Sequence, residues 1–322
     1  MRGLIWVVMI LAALYGGYWF VGARAAESGA ERALVEAAAR GIVVDHQGLS
    51  VAGFPSRFDL TLTQPRVAAG AVGWQAEFAQ VFALSYSPWK LIAALPNDQH
   101  LTLPGQTIGV QSTRMQASLF LTPSPALPLS DFKFVTEGLN LRSDAGWALA
   151  AGSVNVSLVT GEGATAQLAL RGLDLVPDQA LIAAMGGSLP AVIERLDLLA
   201  DLELAAPLAL RGDRPEVRAI DLREAHLLWG PVQATISGRV VADDLGQAEG
   251  ELRLKVAGWE AGLAAAEQMG LVPEQFRVAL RSVLQGLAAQ STEPGTLDLP
   301  LVMQGGRMML GPLPLGAAPL LR

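Results

Sequence analysis

The sequence contains no cysteine, which excludes disulfide bonds, thiolate metal sites and lipid attachment through a thiol. Histidine occurs only three times, at His46, His100 and His226. No two of these have the close spacing of paired ligands in zinc sites. His46 follows Asp45, but neighbouring residues of a strand point to opposite faces, so this pair does not form a site. We therefore expect no metal site and no cofactor.

Charge is also scarce. Charged residues make up 16% of the chain and the net charge is −7, whereas soluble proteins average about 25% charged residues. A nucleic-acid-binding surface needs clustered lysine and arginine, so nucleic acid is excluded as a partner. The glycine-rich phosphate loops and the serine-nucleophile motif are absent as well. No set of residues suggests a catalytic arrangement, and we do not expect an enzyme.

A long uncharged segment opens the chain. Residues 3–23 contain no charged side chain and lie between Arg2 and Arg24. As a helix, residues 4–21 would span about 27 Å, close to the thickness of bilayer hydrocarbon. A cleaved signal peptide is the alternative, because Ala23-Arg24-Ala25 resembles a cleavage site, but its apolar core would be shorter. We predict that residues 1–25 are a retained transmembrane anchor.

Aromatic residues and charge indicate how this anchor is oriented. Tyr15, Tyr18, Trp19 and Phe20 lie where an aromatic belt at the outer membrane interface would be. Positive charge is retained on the cytoplasmic side, and Arg2 precedes the anchor, which favours an N-terminus inside the cell. In a bacterium, the rest of the chain would then lie in the periplasm, tethered to the inner membrane.

Residues 26–41 predict a helical stalk that continues from the anchor. They are rich in alanine, leucine, glutamate and arginine, which all favour helix. Glu36 and Arg40 are four residues apart in the favourable order. Gly41 is suited to end the helix in the left-handed conformation.

From residue 42 onward, apolar and polar residues alternate in a way typical of antiparallel strands with one apolar face. Clear examples are residues 58–62, 154–158, 196–204 and 252–256. Helices are predicted at residues 177–185, 259–269 and 273–290. We expect a mainly β fold of the α+β class. In it, residues 42–322 form a large curved antiparallel sheet with a few packed helices, and a subdivision is expected near residues 177–190.

Three structural motifs carry a resemblance to a known family. Gly53-Phe54-Pro55 makes a turn before a strand, Trp89-Lys90 follows about thirty residues later, and residues 305–312 form a glycine-rich hairpin. With the anchor, these resemble an uncharacterised bacterial envelope family, domain-of-unknown-function family 2125. That family has no established activity to carry over. The architecture is also similar to AsmA-like envelope proteins, which implies lipid held on the apolar face of a curved sheet.

Two functions follow from these patterns. If the sheet curls without closing, its apolar face becomes a groove for lipid or another apolar ligand. The residues expected to line it are Leu60, Leu168, Leu202 and Leu254. Alternatively, the apolar face is fully packed and the protein is an envelope structural or assembly factor. An edge strand or the helix at residues 273–290 would then bind an envelope protein. The alternation is the same in a groove and in a filled core.

Overall fold

The computed structural model describes residues 2–210, 215–291, 293, 295–311 and 313–321. Within these residues the chain forms one antiparallel sheet of twenty strands and four helices, which confirms the mainly β prediction. The helices are α1 (Arg2–Ala39), α2 (Gln179–Ala184), α3 (Trp259–Gln268) and α4 (Glu274–Gln290). The strands are β1 (Ile42–Asp45), β2 (Gly48–Ala52), β3 (Arg57–Thr63), β4 (Arg66–Ala69), β5 (Val72–Ala76), β6 (Phe78–Leu84), β7 (Ser87–Ala94), β8 (Asp98–Leu103), β9 (Gln106–Gln111), β10 (Arg114–Leu121), β11 (Leu129–Ser143), β12 (Ala148–Thr160), β13 (Thr165–Val176), β14 (Ile193–Leu204), β15 (Val217–Trp229), β16 (Val232–Ala242), β17 (Ala248–Ala257), β18 (Leu297–Gln304), β19 (Arg307–Leu310) and β20 (Leu313–Ala317).

The sheet is an up-and-down meander with two arms. From β11 to β20, each strand pairs with the next strand along the chain. Before β11 the strands form two sets. One arm contains β2, β3, β6, β7 and β10, and the other contains β1, β4, β5, β8 and β9. The two arms join at β11, which pairs with β10 along its first part and with β9 along its last part.

The arms separate where the chain interrupts its long strands. Pro65 and Pro96 lie between β3 and β4 and between β7 and β8, where proline cannot donate a ladder hydrogen bond. Within β11, Gly138 has φ +58° and adopts the left-handed conformation. Hydrogen bonding continues beside these breaks, since the Gln64 backbone nitrogen donates to the Glu77 carbonyl at 2.8 Å. The sheet therefore bends here without dividing into two sheets.

Three of the helices follow the sequence prediction closely. α2, α3 and α4 lie within residues 177–185, 259–269 and 273–290. The region near residues 177–190, where we expected a subdivision, contains α2. The strands before and after it, β13 and β14, are paired along most of their length. The sheet is therefore continuous across this region. Pro312 of the expected closing hairpin lies outside the described residues, and Gly305 and Gly306 form the turn between β18 and β19.

The predicted anchor and stalk form one continuous helix, α1. Its segment Gly3–Ala39 is long and apolar enough to cross a membrane, with a mean hydropathy of 2.0 in its most apolar window. Only 6% of that window is buried in the protein. Gly41 follows the helix with φ +81°, which confirms its expected role as a left-handed terminator. These properties are compatible with a membrane anchor.

Candidate functional site: the apolar face of the sheet

Apolar side chains form an unbroken row across the sheet from β2 to β18. Val51 on β2 is the cross-strand partner of Leu60 on β3, and every further strand of the row contributes one partner in the same way. The row ends where Leu254 on β17 pairs with Leu299 on β18. We call this the central row, and the side of the sheet that carries it the apolar face. The central row consists of Val51, Leu60, Val81, Ala93, Ala117, Phe134, Val156, Leu170, Leu198, Ala225, Ile236, Leu254 and Leu299.

The four residues predicted to contact a ligand all lie on this face. Leu60 and Leu254 belong to the central row. Leu168 is two residues before Leu170, and Leu202 is four residues after Leu198, so both point to the same side. All four are half-buried. Leu60 and Leu254 are ten strand spacings apart, roughly 50 Å along the sheet, so the four line an extended surface and do not converge on one pocket.

The opposite face is polar and carries ion pairs. Arg171 donates to Asp197 at 2.6 Å. The pKa of Asp201 is lowered because the Gln167 and Arg223 side chains donate hydrogen bonds to its carboxylate. One polar row there contains Asn155, Arg171, Asp197, His226, Thr235, Lys255 and Asp298. Solvated ion pairs of this kind add little stability, and they mark this face as the one that water covers.

Helices cover the two ends of the apolar face. At one end, Trp19 and Ala23 of α1 pack on Phe58, which is two residues before Leu60. At the other end, Leu299 is buried together with Trp259 of α3 and with side chains of α4. Leu170 and Leu198, in the middle of the central row, are half-buried. Within the described residues, the apolar face is thus covered at its ends and partly exposed between them.

The total surface area agrees with an open sheet. The accessible surface is 18839 Å² for a chain of 33.8 kDa. A compact monomer of this mass would expose about 13,000 Å². The projecting helix α1 contributes part of the difference, and the partly exposed faces of the sheet contribute another part.

The contact between α1 and the sheet is specific. The Trp19 indole is 6% exposed, lies 6.0 Å from the Phe58 ring and donates from Nε1 to the Arg57 carbonyl at 2.8 Å. The Tyr18 hydroxyl donates to the Ser85 carbonyl at 2.7 Å. A β-carbon at Gly22 would lie 2.5 Å from the Phe58 ring, so only glycine permits this approach. Trp19 and Tyr18 thus bind the body instead of forming a belt that faces only lipid.

A concavity also lies on the other side of the sheet. It measures about 790 Å³ and is lined mainly by polar-face residues, among them Lys133, Arg171, Asp197 and His226. Arg171 and Asp197 in its lining bind each other, so these two charges are not free to hold a ligand. Within the residues that the structure describes, no three histidine, aspartate or glutamate side chains are grouped to hold a metal ion.

These features define a class of protein: a long amphipathic antiparallel sheet that continues from an N-terminal helix able to cross a membrane. The model of domain-of-unknown-function family 2125, described as an uncharacterised protein conserved in bacteria, matches residues 19–319. The chain belongs to this family, as the sequence motifs predicted. No curated protein and no solved structure matches the chain.

Proposed function

We propose that this protein is anchored in the inner membrane and binds lipid, or another ligand with long apolar chains, along the apolar face of its periplasmic sheet. The central row carries this proposal. It is apolar at every position, it begins with Val51 beside α1, and it ends with Leu299 beneath α3 and α4. Leu170 and Leu198, in its middle, are only half-buried.

The composition of the central row favours an apolar occupant. Soluble monomers rarely expose a contiguous apolar patch larger than a few hundred Å². An acyl chain requires no hydrogen bonds and gains about 0.8 kcal/mol for each buried CH₂ group. It could lie along rows of leucine, isoleucine and alanine without a pocket of fixed shape. An extended surface of this kind can contact the whole length of an acyl chain, whereas a compact metabolite would contact only a small part of it.

The position of α1 supports the proposal that the bound lipid comes from the bilayer. Trp19 and Gly22, near the end of the uncharged segment at residues 3–23, touch Phe58 on the apolar face. The apolar face therefore starts at the end of the helix segment that would lie in the membrane. A lipid could pass from the bilayer to this face over a short distance.

A protein partner is the second candidate, and the surface of α4 favours it. Leu280, Leu284 and Leu287 of this helix pack on the sheet side, and Phe276 and Val283, at the margin of the same stripe, are exposed. An exposed apolar stripe on a helix is a common contact for another protein. In this case the protein would be an envelope assembly factor that works without lipid.

The test is lipid retention by the full-length chain. We expect that protein purified into nanodiscs of a synthetic lipid keeps native lipid, which organic extraction and mass spectrometry will detect. The Leu198→Lys variant should keep several-fold less, because an ammonium group then lies in the middle of the central row. Thr235→Lys, on the polar face, is the matched control and should keep the native amount.

Two results would contradict this proposal. The first is that no native lipid remains on the unmodified chain. The second is that Leu198→Lys and Thr235→Lys keep equal amounts. Recovery of one stoichiometric protein by crosslinking, with no lipid, would favour the assembly factor.

A further inference from the structure

Two turns of the sheet are held beside the end of the apolar part of α1. In the turn between β6 and β7, the Ser85 carbonyl accepts a hydrogen bond from the Tyr18 hydroxyl at 2.7 Å. In the turn between β2 and β3, the Phe54 ring stacks on the Phe20 ring at 6.2 Å. These contacts place both turns level with residues 15–20 of the helix. We call these two turns, together with the beginning of β7, the foot; it comprises residues 53–56 and 85–89.

The foot exposes aromatic side chains. Phe54 is 56% exposed and Tyr86 is 68% exposed, and Trp89 at the beginning of β7 is exposed as well. Residues 15–20 lie near the end of the uncharged segment at residues 3–23. With α1 anchored as proposed above, on which this inference rests, the foot is level with the membrane–water interface, where aromatic side chains are most favourably placed.

Next to the foot is a small apolar pocket with two cations. It has a volume of about 360 Å³. The Lys90 ammonium lies 5.5 Å from the centre of the Phe120 ring, and the Arg57 guanidinium lies 5.9 Å from the centre of the Phe82 ring. The pocket is lined by Arg57, Phe82, Ala83, Leu84, Lys90, Ile92 and Phe120. Phe82 and Ile92 are cross-strand partners, and each is next in the chain to a residue of the central row, Val81 or Ala93. Since neighbouring residues of a strand point to opposite faces, the pocket opens on the face opposite the central row.

The charges around the pocket leave one cation unpaired. Arg57 pairs with Asp59 at 2.9 Å. Asp131, the cross-strand partner of Phe120 in the pocket lining, pairs with Lys133 at 3.4 Å. Lys90 has no ion-pair partner among the described residues. An anion that enters the pocket would therefore meet an available ammonium group above an apolar lining.

We propose that this pocket binds the head group of an anionic phospholipid from the bilayer in which α1 is anchored. The phosphate lies against Lys90, with Arg57 next to it, and the beginning of the acyl chains lies on Phe82, Ile92 and Phe120. A phosphate matches the cations and an acyl chain matches the lining. Because the pocket is next to the foot, the phosphate and the beginning of the acyl chains would lie in it at the depth of the membrane–water interface. This site is separate from the central row and does not depend on it.

The experiment uses the full-length chain with a photoreactive residue in place of Ile92. The protein is placed in nanodiscs of phosphatidylcholine that contain a minor fraction of phosphatidylglycerol, and the crosslinked lipids are identified by mass spectrometry. We expect phosphatidylglycerol to be enriched about fivefold over its bulk fraction, the factor that one lysine near an anionic surface supplies. Lys90→Gln should abolish the enrichment, and Lys90→Arg should keep most of it.

Lys255→Gln is the matched control, because Lys255 lies on β17 and pairs with Glu293 at 3.0 Å. It should leave the enrichment unchanged. The proposal is overturned if position 92 crosslinks no lipid, if the crosslinked lipid has the bulk composition, or if Lys90→Gln keeps the enrichment. A photoreactive residue at Leu170 reports on the central row in the same nanodiscs. The two sites can therefore fail independently.

Discussion

Lysine in place of Leu299 should prevent folding of the sheet, whereas lysine in place of Leu198 in the same row should be tolerated. Leu299 is 5% exposed beneath α3 and α4. An unpaired ammonium group there costs several kcal/mol, a large part of the roughly 5–15 kcal/mol that stabilises a domain. At Leu198 the apolar face is partly open. The lysine stem can lie on the sheet there while its ammonium group reaches water.

Circular dichroism of the full-length chain in detergent, followed during heating, measures both effects. We expect no cooperative strand unfolding for Leu299→Lys, and a melting temperature within a few degrees of the unmodified chain for Leu198→Lys. Leu299→Met and Leu198→Met control for the loss of leucine shape. If Leu198→Lys unfolds the protein as severely as Leu299→Lys, the middle of the apolar face is a filled core and the assembly-factor function becomes the better explanation.

Leucine in place of Gly22 should detach α1 from the sheet, while leucine in place of Gly17 should not. A β-carbon at Gly22 would lie 2.5 Å from the Phe58 ring, but a β-carbon at Gly17 meets no atom within 4 Å. Overpacking of this kind typically costs about 1–3 kcal/mol. The helix can relieve the clash only by moving away from β3, and this movement also separates Trp19 from Phe58.

The absence of cysteine makes this prediction simple to measure. Ala23 is 8% exposed beside Phe58, so Ala23→Cys adds a single thiol that reacts slowly with a maleimide. Adding Gly22→Leu should accelerate the labelling roughly tenfold, and adding Gly17→Leu should leave the rate unchanged. Equal rates in the two double variants would mean that α1 does not depend on the Phe58 contact.

The sequence pattern predicts the long strands because an apolar residue at every second position, repeated over many residues, indicates a β-strand with one apolar face. Residues 196–204 have an apolar side chain at every second position and form most of β14. The same regularity places Leu168, Leu170 and Leu202 on one face. Strands β4 to β10 are shorter and end at breaks such as Pro65 and Pro96. In β6, residues 81–84 are all apolar, so the alternation that marks the long strands is lost there.

The coverage of the apolar face depends on contacts that are distant in the chain. Leu198 and Leu299 occupy the same row, and only the packing of α3 and α4 makes one buried and the other half-exposed. Similarly, the aromatic residues of the anchor suggest a belt, but Trp19 meets Phe58 because β3 folds back beside the helix. The foot also comes from two turns that only the sheet topology brings together.

The central claim is that, in the middle of the central row, lipid occupies the apolar face of the sheet and not the polar face behind it. The most direct test is a scan of photoreactive residues along β13 in living bacteria, one position at a time from Gln167 to Arg171, with crosslinked lipid as the readout. We predict lipid at positions 168 and 170 and none at positions 167, 169 and 171. Equal crosslinking at all five positions, or crosslinking to protein alone at 168 and 170, would contradict it.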